Sequence, residues 1–199
     1  MFEYYRDFDA NGSTDALMGY TKNGVEYTLA YRDILLKQLP GLKKKFVRNE
    51  PYALATLEDI FSRNDLKSAK YLKAETLSST WFENQGGKFV AHELPIAAQI
   101  APVWGIVVSD VDANGTPDLV LAGNEMGMQA ETGPIDSGNG LILLNDGKGN
   151  FTSVPPRQSG FWATREAHSL ALLNGGGGKK LLLVGNQNGA AQIFELFNK

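Results

Sequence analysis

The sequence predicts a mainly β protein that forms a partial β-propeller with an inserted small α-helical subdomain. Short apolar segments bounded by Gly, Asn and Asp recur along the chain, as in GIVVSD, DLVLAG and GLILLND. Pairs of similar segments repeat at one spacing, which is typical of propellers and other repeat architectures. One stretch instead places apolar residues at helical spacing. The strand pattern alone leaves a generic β-sandwich open as an alternative.

A period of 62 residues relates two pairs of segments. WFENQGGKF ends at Phe89 and resembles LLNDGKGNF, which ends at Phe151, 62 positions later. DLVLAGN ends at Asn124 and resembles KLLLVGN, which ends at Asn186, again 62 positions later. Two independent features with the same offset indicate a structural unit of that length.

The strongest pair of similar segments indicates an insertion. DFDANGSTD at 7–15 and DVDANGTPD at 110–118 are identical at six of nine positions, but they lie 103 residues apart, 41 more than the period. We therefore divide the chain into three parts. These are the first loop and strands of blade one at 1–31, a helical insertion at 32–76, and the remaining β blades at 77–199, which include a degenerate third unit.

The helical character of the insertion follows from its apolar spacing. Leu35, Leu39, Leu42 and Phe46 recur at intervals of three or four residues. Pro51 can open a second helix, and Asn64 could cap a third.

The two DxDxNGxxD loops carry oxygen-bearing residues at alternate positions around a Gly that allows a sharp turn. Such a set can wrap a hard cation that takes six to eight oxygen ligands, and Ca2+ fits this preference better than Mg2+. The predicted ligands of the first site are the side chains of Asp7, Asp9, Asn11 and Asp15 and the main-chain carbonyl of Ser13. Those of the second site are the side chains of Asp110, Asp112, Asn114 and Asp118 and the main-chain carbonyl of Thr116.

Two other interpretations of these loops are an EF-hand and a turn without metal. An EF-hand requires Glu at the twelfth loop position, where this chain has Met18 and Leu121. Asp/Asn/Gly-rich turns without metal are the other alternative, and the agreement of both loops at every oxygen-bearing position argues against it. The 62-residue offset gives a third loop that should lack metal, because its ligand positions hold Leu172, Asn174, Gly176 and Lys180.

These motifs resemble the FG-GAP/VCBS repeats of β-propellers, which are related to the repeats of integrin alpha subunits. The resemblance covers most of residues 1–20 and 77–196, and it is carried by the DxDxNGxxD loops and the LLNDGKGNF hairpin. It implies Ca2+ bound by the loop residues in an extracellular or cell-envelope protein, commonly bacterial, with adhesion or ligand-binding roles. RDILLKQLPGLKKKF and YALATLEDIF are similar to an insertion in large bacterial VCBS-repeat surface proteins.

Composition excludes several functional classes. The net charge of −3 gives no electrostatic reason to expect nucleic acid as a partner. The absence of cysteine excludes disulfides, thiolate metal sites and thiol nucleophiles. No apolar run is long enough for a transmembrane helix, and the N-terminus lacks signal-peptide features. We expect the chain to be a fragment of a longer protein.

The predicted function is a non-catalytic, calcium-stabilised binding or interaction module with a protein or carbohydrate ligand. The sequence leaves two interpretations of an extended loop, Gly123 to Gly140: it binds such a ligand, or it packs on itself at the surface. A carbohydrate-active enzyme or its accessory domain is one alternative, with Glu125, Glu131 and Asp136 as the nominated carboxylates. A structural assembly segment is the other.

Four further expectations concern histidines, tryptophans and the open edges of the blades. His92 and His168 should be structural or surface residues, and Trp104 and Trp162 should be buried between blades. Without the insertion the chain makes about 2.5 units, whereas closed propellers have four or more blades. A second copy or neighbouring repeats would then cover the open edges.

Overall fold

A computed structural model describes residues 1–130 and 132–196. The protein is mainly β, with 38% strand and 19% helix, and the described strands form several antiparallel sheets, none of which is closed. The mainly β prediction is therefore confirmed. The chain divides into two compact units, Met1–Leu77 and Ser78–Lys199. Among the described residues, no helix has the length and apolar character needed to cross a bilayer.

The first unit is built on a four-stranded antiparallel sheet. Its strands are β1 (Phe2–Arg6), β2 (Asp15–Lys22), β3 (Val25–Thr28) and β4 (Lys70–Lys73), in the order β3-β2-β1-β4. Strand β2 alternates between buried and exposed residues from Asp15 to Tyr20, as expected when one face of a sheet covers a core. A Cβ at Gly19 would lie 2.3 Å from the Phe2 ring, so this position requires glycine.

Four short helices cover this sheet. They are α1 (Arg32–Gln38), α2 (Asn49–Ala53), α3 (Leu57–Ile60) and α4 (Arg63–Ser68), with a 3-10 turn at Pro40–Lys44. Their apolar side chains pack with those of the strands into one core of ten buried residues: Phe2, Leu17, Leu35, Leu39, Phe46, Ala55, Leu57, Ile60, Phe61 and Leu66.

Three details of the segment at 32–76 differ from expectation. Pro51 does not open a helix but lies inside α2, which begins at Asn49; the first helical turn tolerates proline because its N–H groups have no partner within the helix. Helix α4 is capped by Ser62, whose hydroxyl accepts a hydrogen bond from the Asp65 N–H, and Asn64 lies inside the helix. The segment also does not end in helix, because β4 pairs antiparallel with β1. Tyr71 on β4 packs against Tyr4, with ring centroids 4.8 Å apart, and this long-range contact favours the strand.

The described part of the second unit contains nine strands in three sheets. The hairpin β5 (Thr80–Gln85) and β6 (Lys88–Glu93) forms one sheet. A four-stranded meander comprises β7 (Gly105–Ser109), β8 (Asp118–Ala122), β9 (Leu141–Asn145) and β10 (Phe151–Val154). A three-stranded meander comprises β11 (Ala167–Asn174), β12 (Lys180–Asn186) and β13 (Gln192–Leu196). Short helical turns occur at Ile96–Ala98, Gly176–Gly178 and α5 (Pro156–Ser159).

The two meanders of this unit share a core. Val107, Val120 and Ile142 of the four-stranded sheet belong to the same buried cluster as Leu182 and Val184 of β12. Strands β8 and β12 each lie between an antiparallel partner that precedes them and one that follows them in sequence. This equivalence places DLVLAGN and KLLLVGN at corresponding positions of their sheets.

Candidate metal-binding loops

The first acidic loop connects β1 to β2. Oxygen atoms of Asp7, Asp9 and Asp15 lie within 4.8 Å of one another. Asp15 is buried at the start of β2, whereas Asp9 is exposed in the loop. Three of the predicted side-chain ligands are therefore brought together.

Backbone hydrogen bonds hold this loop. Asp7 accepts from the N–H groups of Asn11, at 3.1 Å, and Gly12, at 2.8 Å. Asn11 Oδ1 accepts from the Ser13 N–H at 2.7 Å, and Asp15 accepts from the Phe8 N–H at 2.9 Å. The hydrogen bond from Gly12 is the largest cause that lowers the pKa of Asp7, which keeps this carboxylate charged.

The second loop, between β7 and β8, repeats this arrangement. Oxygen atoms of Asp110, Asp112 and Asp118 lie within 4.8 Å of one another. Asp110 accepts from the N–H groups of Asn114, at 3.1 Å, and Gly115, at 3.0 Å.

Two further bonds of the second loop match those of the first. Asn114 Oδ1 accepts from the Thr116 N–H at 2.8 Å, and Asp118 accepts from the Val111 N–H at 2.8 Å. The two loops therefore share four hydrogen bonds, and the second loop adds bonds from Asn114 and Thr116 to the Asn145 carbonyl.

The backbone conformations agree as well. Ala10 and Ala113 have φ values of 58° and 61°, and Gly12 and Gly115 have φ values of 88° and 85°. Left-handed alanine is uncommon, so its occurrence at the same position in both loops indicates one specific fold of the motif.

The donor set fits a hard dication. Each loop contains three carboxylates and a side-chain amide oxygen. A carboxylate has about four lone-pair positions, so the hydrogen bonds that it accepts from N–H groups leave other positions for a metal ion. Asp7, Asp9, Asn11, Asp15 and the Ser13 carbonyl would hold an ion in the first loop. Their counterparts Asp110, Asp112, Asn114, Asp118 and the Thr116 carbonyl would do so in the second.

The buried aspartates of the two loops have different second partners. Asp15 Oδ1 accepts from the side-chain amide of Gln38, on helix α1, at 3.1 Å. Asp118 Oδ1 accepts from the main-chain N–H of Asn145, at the end of β9, at 2.8 Å. The helical segment therefore supplies in the first unit the hydrogen bond that a neighbouring strand supplies in the second.

The third loop position has no acidic cluster among the described residues. Lys180 begins β12, where the first two units have Asp15 and Asp118 at the start of a strand. Its ammonium lies 3.5 Å from the main-chain oxygen of Asp110, which places a positive charge beside the second acidic loop.

Sequence reasoning missed Asn124 as an organising residue. This fully buried side chain donates to the carbonyls of Gly138, Thr164 and Arg165, at 2.8 to 3.3 Å, and accepts from the Gly138 N–H at 2.8 Å. Its recurrence in GN after DLVLA and KLLLV was the available signal.

Asn124 anchors the base of the loop at 123–140. Glu125 and Ile135 next exchange two main-chain hydrogen bonds, at 2.8 and 2.9 Å. Beside the loop base lies a mainly apolar pocket of 220 Å³, whose lining includes Ile100, Pro102 and Gly138. The loop is thus fixed at its base on the sheet.

The three carboxylates nominated for catalysis, those of Glu125, Glu131 and Asp136, do not form one described cluster. Glu125 lies close to Glu166, within a cluster that also contains His168. Asp136 is exposed, and Glu131 lies outside the described residues. Catalytic use of the predicted trio therefore gains no support from the described geometry.

Both tryptophan expectations are wrong. Trp104 and Trp162 are 51% and 48% exposed rather than buried. Trp104 directs its indole N–H to the Asn124 carbonyl at 3.1 Å, and this bond holds the ring at the surface. The expectation failed because an apolar residue type alone does not show whether a polar partner lies at the surface.

Comparison with protein-family models, with curated proteins and with solved structures found no match to this chain.

Proposed function

We propose that the chain is a calcium-binding, non-catalytic interaction module built from propeller-type blades. The observation that carries the proposal is the presence of two acidic loops with the same carboxylate cluster, hydrogen bonds and backbone conformation. Ca2+ neutralises converging carboxylates, and its binding free energy adds to the stability of the fold.

A melting experiment tests the calcium part. Ca2+ should raise the melting temperature, and EDTA should lower it. Asp9→Asn and Asp112→Asn each remove one exposed carboxylate from a cluster, so each should weaken the calcium-dependent shift. Asp136→Asn removes an exposed carboxylate outside both loops and should leave the shift unchanged. Equal melting temperatures in Ca2+ and EDTA would disprove calcium binding.

The interaction part rests on the loop at 123–140. It is anchored on a rigid sheet by Asn124, and it lies beside an apolar pocket, which is the usual arrangement for a binding loop. A glycan array probed in the presence of Ca2+ tests the carbohydrate class of ligand. Met128→Ala, which alters an exposed loop side chain, should weaken any specific signal.

The blade arrangement supports the wider propeller proposal. Strands β8 and β12 occupy equivalent central positions of two antiparallel meanders that share a core. Open sheets of this kind expose edges that pair with further strands. We expect neighbouring repeats or a second copy to cover them in an extracellular or envelope protein. A chain that stays monomeric in solution and does not bind added repeats would contradict this expectation that its open edges are covered.

A further inference from the structure

The second unit contains two similar arrangements of Trp, His and Glu. The His92 ring stacks on Trp81 with centroids 4.5 Å apart, and its Nε2 lies 3.2 Å from Glu83. The His168 ring lies 5.5 Å from that of Trp104, and its Nε2 lies 3.3 Å from Glu166. The two imidazoles have almost the same exposure, with 40% and 41% of each side chain accessible.

Within the described residues, only the second arrangement has a third potential ligand. One ligand atom from each of Glu125, Glu166 and His168 lies within 4.8 Å of the other two. The Glu166 side chain is 15% exposed, whereas Glu83 beside His92 is 43% exposed. Among the described residues, the His92 pair has no second carboxylate in such a cluster.

The two glutamates come from distant parts of the chain and are fixed by the same buried side chain. Asn124 immediately precedes Glu125, and its amide donates to the carbonyls of Thr164 and Arg165, which immediately precede Glu166. Glu125 is also paired through its main chain with Ile135. The main chain beside each glutamate is therefore held by hydrogen bonds that include the same buried side chain.

The charges around this cluster favour a cation. Two carboxylates held close together repel one another unless a positive charge lies between them. In the part of the chain that the structure describes, neither Glu125 nor Glu166 forms an ion pair with Lys or Arg. In the described residues, the His168 imidazole is the only nitrogen within hydrogen-bond distance of the Glu166 carboxylate.

The donor types distinguish this cluster from the acidic loops. One imidazole nitrogen with two carboxylate oxygens is a ligand set used by Zn2+ and neighbouring transition metals, whereas Ca2+ takes oxygen ligands only. Asp118 begins β8 and Glu125 follows its end, so the two clusters lie at opposite ends of this strand.

We propose that Glu125, Glu166 and His168 bind one divalent transition-metal ion of the zinc class. Three protein ligands leave a fourth position for water or an external ligand. This site is independent of the calcium loops, and its failure would leave the calcium proposal untouched.

Titration with Zn2+ in saturating Ca2+, followed by calorimetry, tests the site. The wild-type chain should bind one equivalent. His168→Ala and Glu125→Gln should each weaken binding by at least about tenfold, because loss of even an outer-sphere partner commonly costs that much. His92→Ala is the matched control and should bind like the wild type. Glu125→Gln is conservative, and it keeps an acceptor for the Gly127 N–H that Glu125 binds.

A second readout locates the ion. Co2+ bound beside Trp104 should quench its fluorescence, so Trp104→Phe should remove the quenched component and Trp81→Phe should retain it. Near-ultraviolet circular dichroism verifies that each variant is folded. Absence of a Zn2+ equivalent in the wild type, an unchanged affinity in folded Glu125→Gln, or an equal loss in His92→Ala would each overturn the proposal.

Discussion

Asp118 shows how one residue can serve both the fold and the proposed metal site. It has no exposed surface, and its carboxylate accepts hydrogen bonds from the N–H groups of Val111 and Asn145. These bonds connect the acidic loop to β9 without the help of a bound ion. Asp112, in the same cluster, is exposed. The two aspartates should therefore differ in their effect on stability without metal.

We predict that Asp118→Ala destabilises the second unit by about 2–3 kcal/mol in EDTA, because two N–H groups lose a charged acceptor in a buried setting. Asp112→Ala should cost less than about 1 kcal/mol under the same conditions, as expected for an exposed residue. Urea unfolding measures both values. Equal effects of the two substitutions would show that the buried hydrogen bonds contribute little.

Asn124 offers a second test at this scale. Asn124→Ala removes a side chain that makes four hydrogen bonds, and we expect a loss of about 2–4 kcal/mol from unsatisfied buried groups and the cavity. Asn139→Ala is the control, because Asn139 is exposed and donates only to Ser137, at 3.5 Å. Thermal unfolding compares them. A loss no larger than that of the control would refute the anchoring role of Asn124.

At the scale of elements, two glycines of the 123–140 loop allow the cost of backbone strain to be measured apart from the cost of steric overlap. Gly140, just before β9, has φ +84°, and an added Cβ would lie 2.9 Å from the buried Phe161 ring. Gly133 has φ +71°, and an added Cβ would meet nothing within 4 Å.

Gly133→Ala should therefore cost about 1 kcal/mol, the strain of a left-handed alanine. Gly140→Ala should cost about 2–4 kcal/mol, because crowding of the core adds to the strain. Chemical unfolding of both variants gives the comparison. If the two variants were equally stable, Phe161 would have to move without cost.

The N-terminus of α3 provides a pH-dependent test. Asp59 and Thr56 form a capping box, and the hydrogen bond from the Thr56 side chain is the largest cause that lowers the pKa of Asp59. A carboxyl group with a lowered folded pKa stabilises the fold above its unfolded pKa of about 3.9. That contribution is lost as the pH falls through the folded pKa.

Asp59→Asn should therefore lower the melting temperature near neutral pH, and the difference from the wild type should disappear in acid below the lowered pKa. The same substitution in a Thr56→Ala background should have a smaller effect, because the hydroxyl partner is missing. Melting curves across the acidic range measure both differences. A difference that grows on acidification has the opposite sign and would contradict the linkage.

Elements with a strong local pattern were predictable, and those that depend on distant contacts were not. The apolar runs of β8 and β12 are buried central strands, as their sequences indicate. Strand β4 is exposed along its length and forms only by pairing with β1 across most of the first unit. Its four residues, KYLK, show no alternation that would distinguish a strand from the end of a helix.

At the scale of the whole molecule, each compact unit has its own core and its own acidic loop. The core of the first unit lies entirely within residues 2–66, and the cores of the second lie within 94–196. Amide exchange reports such units separately.

We predict that Asp9→Asn reduces calcium-dependent amide protection in residues 1–77, and that Asp112→Asn reduces it in residues 78–196. Each ion contributes its binding free energy to the unit that holds its ligands. Hydrogen exchange followed by mass spectrometry measures the protection of each unit. Loss of protection in both units from either substitution would contradict independent calcium effects.

The sequence predicted the acidic clusters because their ligands lie within nine residues and repeat in two loops. It did not predict the cluster of Glu125, Glu166 and His168, whose members are brought together by long-range contacts between β8 and β11, including the hydrogen bonds of Asn124. Nothing in their local spacing indicates that contact.

The different partners of Asp15 and Asp118 have a consequence for protein engineering. Both donors to Asp118 come from within the four-stranded meander, so a graft of residues 105–154 would carry both of these hydrogen bonds with it. The graft would still need a new partner for the apolar face that this meander packs against β12. A graft of the first loop would have to include helix α1 as well, because Gln38 completes the surroundings of Asp15.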